Sequence, residues 1–138
     1  MPQINLDQKC ADAGFKMAQE ASIKSGNKPK DALNLLIRSL GVLQEQGVYS
    51  FFLYLASQDK EAANAISKEA RELLKGIELI REDTDDILKV VREDLANRLD
   101  DLLLASRLLE QALIYGKYHT KAMTGSSTQQ QEQEGESP

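Results

Sequence analysis

The sequence lacks most of what builds strands, disulfides or membrane spans. It has one cysteine, no tryptophan, three prolines, and only three phenylalanines and four tyrosines in 138 residues. A single thiol, Cys10, cannot close an internal disulfide, so a reducing cytosol is its natural compartment. No run approaches the ~18 apolar residues of a membrane helix. The longest apolar stretch, Val48 to Ala56, is interrupted by Ser50 and two tyrosines. Nor does the N-terminus read as a signal peptide, because Asp7, Lys9 and Asp12 break its apolar residues. Alternating runs of Val, Ile, Thr and Tyr are missing, which argues against a sheet. There is no general excess of base either: the formal charge is −5. Setting aside Glu132, Glu134 and Glu136 near the C-terminus leaves 17 bases against 19 acids, a balance of −2. Nucleic-acid binding would therefore have to rest on a local patch.

What the chain does have is helix formers. Leu, Ala, Glu, Lys and Gln dominate, and apolar residues make up 41%. The reading is all-α: a compact bundle of five to six helices over residues 1–124, with a disordered polar and acidic tail over 125–138. The first helix is expected from about Leu6 to Ile23, with Cys10, Ala13, Phe15, Met17, Ala18 and Ala21 supplying apolar spacing and Gly14 weakening it. A break follows at Ser25–Pro29, with Asn27 as candidate N-cap of the second helix. Leu33, Leu36, Ile37, Leu40 and Leu43, with Leu35 beside them, form its stripe, and Gly47 ends it. Val48–Ser57 is apolar nearly all round and reads as a buried helix at the centre of the core. A fourth helix is expected over Asp59–Lys75, capped by Asp59 and ended by Gly76. After a short apolar step at Ile77, Leu79 and Ile80 comes an acidic turn over residues 82–86. The rest, from about Thr84 to Met123, keeps helical spacing for some forty residues, so a break is expected near Asp94–Asn97.

Few residues invite chemistry. His119 is the only histidine and has no nucleophile or orienting carboxylate at useful spacing, which favours a surface or packing role. Cys10 has no partner Cys or His nearby in sequence and reads as a structural thiol. Glu82, Asp83, Asp85 and Asp86 lack the glycine and distal glutamate of a calcium loop, and acids suit a helix start. Glu93, Asp94, Asp100 and Asp101 read as a solvated face. Gly41 and Gly47 are too far apart for a phosphate-cradling loop. No catalytic constellation, metal site or cofactor site is expected.

Charge is distributed unevenly. Residues 1–40 hold six bases against four acids, residues 102–124 three against one, and residues 76–101 four against nine. Packing the first helix against the last would gather positive charge able to meet phosphates without reading sequence.

The stretch from Leu40 through Gly41, Gln46, Gly47, Val48, Tyr49, Phe51, Phe52 and Tyr54 to Ser57 resembles the small helical subunit of the type III-B CRISPR effector, the Cmr complex. The resemblance continues through Lys60–Leu74, and through Leu102–Met123, where a leucine-rich helix leads into Tyr115, Lys117, Tyr118 and Lys121. It implies a non-catalytic subunit in antiviral defence. Copies of such a subunit stack into a filament beside the backbone and large subunits and support the guide–target RNA duplex. In that reading Lys9, Lys16, Lys24, Arg38, Arg107, Lys117 and Lys121 contact the RNA backbone. Three rivals remain: a helical protein–protein adaptor that touches no nucleic acid, the small subunit of a related DNA-targeting CRISPR complex, and an enzyme using Cys10 or His119.

Overall fold

The computed structural model describes residues 5–80 and 86–135, with side chains as far as Thr124. Among the described residues there are six α-helices and one 3-10 turn, and no strand. In chain order they are α1 (Leu6–Lys24), α2 (Pro29–Gln46), α3 (Val48–Ser57), α4 (Glu61–Gly76), α5 (Ile87–Glu93), the turn Leu95–Asn97, and α6 (Leu99–Gly135). No described helix is long and apolar enough to cross a membrane.

Two turns differ from the expected caps. Asn27 and Asp59 sit in the left-handed region, at φ 60 and 50. Lys28 and Lys60 occupy the N-cap positions instead, and neither side chain caps its helix. Asn and Asp tolerate both an N-cap and a left-handed turn, so residue type alone does not separate the two roles. Gly47 behaves as expected: it closes α2 and opens α3 at φ 96, where a side chain would be strained. The break near residues 94–97 is also present. Arg98 holds it, donating from its guanidinium to the Leu79 carbonyl at 2.7 Å and to the carboxylates of Asp94 and Asp101. At α5 the cap is Asp86, which accepts from the Lys89 amide at 3.1 Å. The expected start at Thr84 and the acids Glu82, Asp83 and Asp85 lie outside the described residues. The backbone of α6 runs on past Met123 to Gly135. The expectation of disorder over 125–138 falls on residues whose side chains, and for 136–138 also backbone, lie outside the description.

The core is built where the apolar spacing predicts. Phe51 and Phe52 of α3 are fully buried, edge to face with ring centroids 5.0 Å apart. Around them lie Met17, Leu36, Leu43, Ile66, Leu74, Leu109 and Leu113. Each such side chain contributes about 1.5–3 kcal/mol by leaving water. The stripes are narrower than their apolar residues suggest: Phe15, Ile37, Leu53, Leu99 and Leu103 are largely exposed.

Helix α1 lies parallel to α6. Cys10 donates its thiol to the Leu108 carbonyl at 3.4 Å, and further along both helices the ring of Phe15 meets that of His119. Between them the two backbones nearly touch. A Cβ built on Gly14 would lie 2.5 Å from the Ala112 carbonyl oxygen and 2.8 Å from the Gly116 nitrogen. Gly14, a weakness by helix propensity, is what permits this seam.

Candidate nucleic-acid interface

The described surface is concave where α1 ends, α2 begins, and α3 hands over to α4. The spacing of Asp31, Asn34, Leu35 and Arg38 puts them on one face of α2, because residues three and four apart share a helix side. That face forms one wall of a hollow of about 490 Å³. Lys24 and Ser25 close it from the end of α1, Tyr54 and Gln58 from α3 and its exit, and Lys60, Glu61 and Ala62 from the start of α4. Three bases, Lys24, Arg38 and Lys60, thus face two acids, Asp31 and Glu61. The first turn of α4 has no side-chain cap, so the positive end of a 16-residue helix dipole adds to the cationic side. The lining suits an anion bearing a polar body: charge for a phosphate, and amide and phenol groups for its substituents.

A second hollow of about 430 Å³ shares Lys24 and Glu61 with the first and adds Glu20, Lys68, Glu69 and Arg71. Burial raises the Glu69 carboxyl above its ordinary value, with Lys16 and Lys68 pulling the other way. Among the described residues the buried Nε of Arg71 has no hydrogen-bond partner.

The seven bases singled out in the sequence are distributed as follows. Lys24 and Arg38 come together at the larger hollow. Lys16 lies beside Glu69 of α4. Lys117 folds its ammonium over the Tyr118 ring, 5.0 Å from the centroid. Lys9, Arg107 and Lys121 are exposed on their helices and do not border the hollow. The seam between α1 and α6 is made by Cys10, Gly14 and Phe15, and Lys9 and Lys16 stand exposed next to them in sequence. Lys60 was not among the seven. It joins the site only because the turn at Asp59 brings the start of α4 back toward α2, which no spacing within one helix reveals.

The two residues with catalytic potential are placed apart from this hollow. Cys10 is buried, and desolvation, helped by Asp7, raises its thiol to about 11. It is therefore a protonated group inside the core and not a thiolate. His119 is exposed against Phe15, with centroids 5.5 Å apart and planes at 76°. Nearby, Tyr115 donates to Asp7 at 2.5 Å, and that bond holds the phenol above its ordinary value. Among the described residues no group of three His, Cys, Asp or Glu side chains could hold a metal ion. Comparison with protein-family models, curated proteins and solved structures yields no match.

Proposed function

We propose that this protein is a non-catalytic, RNA-associated structural subunit of a CRISPR RNA-guided effector of type III-B, stacking with copies of itself and with the backbone and large subunits in the cytoplasm. The observation that carries the RNA part is the convergence of Lys24, Arg38 and Lys60 on one hollow. The assembly part rests on the resemblance of Leu40–Ser57 and of Leu102–Met123 to the small Cmr subunit. The mechanism is electrostatic positioning. Bases on a rigid helical frame neutralise phosphates, counterions are released, and no base edge is read. One hollow of three bases and two acids gives weak binding to an isolated subunit. Repetition along a filament multiplies it, because each further contact is made at high effective concentration.

The test is titration of the isolated protein with single-stranded RNA at several salt concentrations. Affinity should fall linearly on a log–log plot, with a slope of about −0.7 for each phosphate neutralised. Replacing Lys24, Arg38 and Lys60 together by Ala should weaken binding and reduce that slope by up to about 2. Binding that ignores salt, or a triple variant that binds as the parent does, would refute the assignment of the hollow.

A further inference from the structure

Away from the larger hollow, α4 carries a guanidinium without a counter-charge. Ser67 follows Asn64 by three residues and Arg71 follows Ser67 by four, so the three share one side of that helix. They wall a third hollow, of about 220 Å³, which α3 and the start of α5 close. Phe52 of α3 and Ile87 and Leu88 of α5 supply its apolar side. Arg71 is half-buried, and its Nε is buried with no hydrogen-bond partner among the described residues. Glu20, Glu61 and Glu69 border the second hollow with it, and Asp86 borders the third. None of these four carboxylates lies within ion-pair distance of the guanidinium. Asp86 instead caps α5, accepting from the Lys89 amide at 3.1 Å. An N–H of a charged group that leaves water without an acceptor is costly, and a ligand that brings the acceptor recovers the loss.

Charge, size and lining together select the ligand. Guanidinium, amide and hydroxyl can all donate, so the polar wall calls for an oxyanion. One base with Asp86 nearby suits a single negative charge, whereas phosphates are better met where Lys24, Arg38 and Lys60 converge. The volume is below the roughly 300 Å³ at which small-molecule pockets begin, and it holds little more than one side chain. The apolar wall suits a short methylene stem. We infer that Arg71, Asn64 and Ser67 receive the carboxylate of a glutamate or aspartate side chain presented by a partner protein. The Arg71 fork takes the carboxylate, Ser67 and Asn64 donate beside it, and the methylenes of the stem lie against Phe52, Ile87 and Leu88. This contact is independent of the RNA reading: none of its three donors borders the larger hollow.

The experiment follows the Nε–Hε resonance of Arg71 by NMR in the full, nitrogen-15-labelled chain, assigned by its loss in Arg71→Lys. Three probes are titrated in turn: the capped tripeptide acetyl-Ala-Glu-Ala-amide, its glutamine counterpart, and inorganic phosphate. The glutamate peptide should move the resonance saturably, at a concentration about tenfold lower than the glutamine peptide needs. Replacing Asn64 and Ser67 together by Ala should raise that concentration severalfold, since two donors are lost and the guanidinium remains. Equal response to the two peptides would overturn the site. So would phosphate acting at a lower concentration than the glutamate peptide, which would assign Arg71 to a phosphate instead. A double variant that responds as the parent does would overturn the three-donor arrangement. The Lys24, Arg38 and Lys60 triple variant keeps this readout apart from the RNA reading: it should lose RNA affinity and leave the glutamate titration unchanged. Loss of the glutamate response in that variant would contradict a separate site.

Discussion

Replacing Gly14 by Ala sets two opposing effects against each other at the α1–α6 seam. By intrinsic propensity the change should help, since Ala is better than Gly inside a helix by about 1 kcal/mol. By packing it should hurt. The new Cβ would lie 2.5 Å from the Ala112 oxygen, 2.7 Å from the Tyr115 Cβ and 2.8 Å from the Gly116 nitrogen. Comfortable contacts are about 3.5–4.0 Å, so α1 would have to recede by roughly 1 Å. Two of the three obstacles are backbone and cannot rotate away. Receding would loosen the contacts of Cys10, Met17, Leu109 and Leu113, all of which are buried. Overpacking of this kind costs about 1–3 kcal/mol, and the rigidity of the neighbours favours the upper part of that range. The net expectation is a loss of about 1–2 kcal/mol after the propensity gain. With a urea dependence of about 1–3 kcal/mol per molar, the unfolding midpoint read by circular dichroism should fall by roughly 1 M. Gly41→Ala is the matched control. It too lies in a helix, but nothing stands within 4 Å of its added Cβ, so it should stabilise by about 0.5–1 kcal/mol. A Gly14→Ala variant as stable as the parent would refute the close approach of the two backbones.

Cys10 should resist a thiol reagent at pH 8 in the native protein and react promptly in urea, because its thiol is buried and raised to about 11; rapid labelling of the folded chain would place it elsewhere. Glu69 should make stability fall as pH rises. Its folded value is above the ordinary 4.5, so the folded state favours the protonated carboxyl, and the benefit is lost as pH climbs through the raised value. Glu69→Gln should therefore be more stable than the parent at pH 7, with the difference vanishing below the ordinary value, and parallel curves across the range would contradict this burial.

Much of the fold was legible because it depends on local spacing. The stripe from Leu33 to Leu43, the stop at Gly47 and the all-apolar Val48–Ser57 are written within one or two helical turns, and α2 and α3 have the expected bounds. The break before α6 was legible from length alone, although Arg98, which fastens it, was not singled out. Caps were misplaced by one residue at Asn27 and Asp59, where the same side chain serves either of two backbone states. The site was legible only in part. Lys24 and Arg38 are legible as bases on separate helices, but their meeting with Lys60 depends on how α1, α2, α3 and α4 fold back on one another. Gly14 counted against its helix until the second helix was in view. By spacing Phe15 belongs to the apolar residues of α1, and its partner His119 lies near the other end of the chain. Pairwise geometry of that kind leaves no trace in a single sequence.

The central claim, an RNA-guided assembly with this chain as a structural subunit, is tested most directly by affinity purification of the tagged protein from its native host. Co-purifying RNA and protein would both be identified. The account predicts short guide RNAs together with larger effector subunits, at a yield that drops when Lys24, Arg38 and Lys60 are replaced. Recovery of protein partners with no RNA would contradict it and would assign the helical surface to a protein–protein adaptor instead.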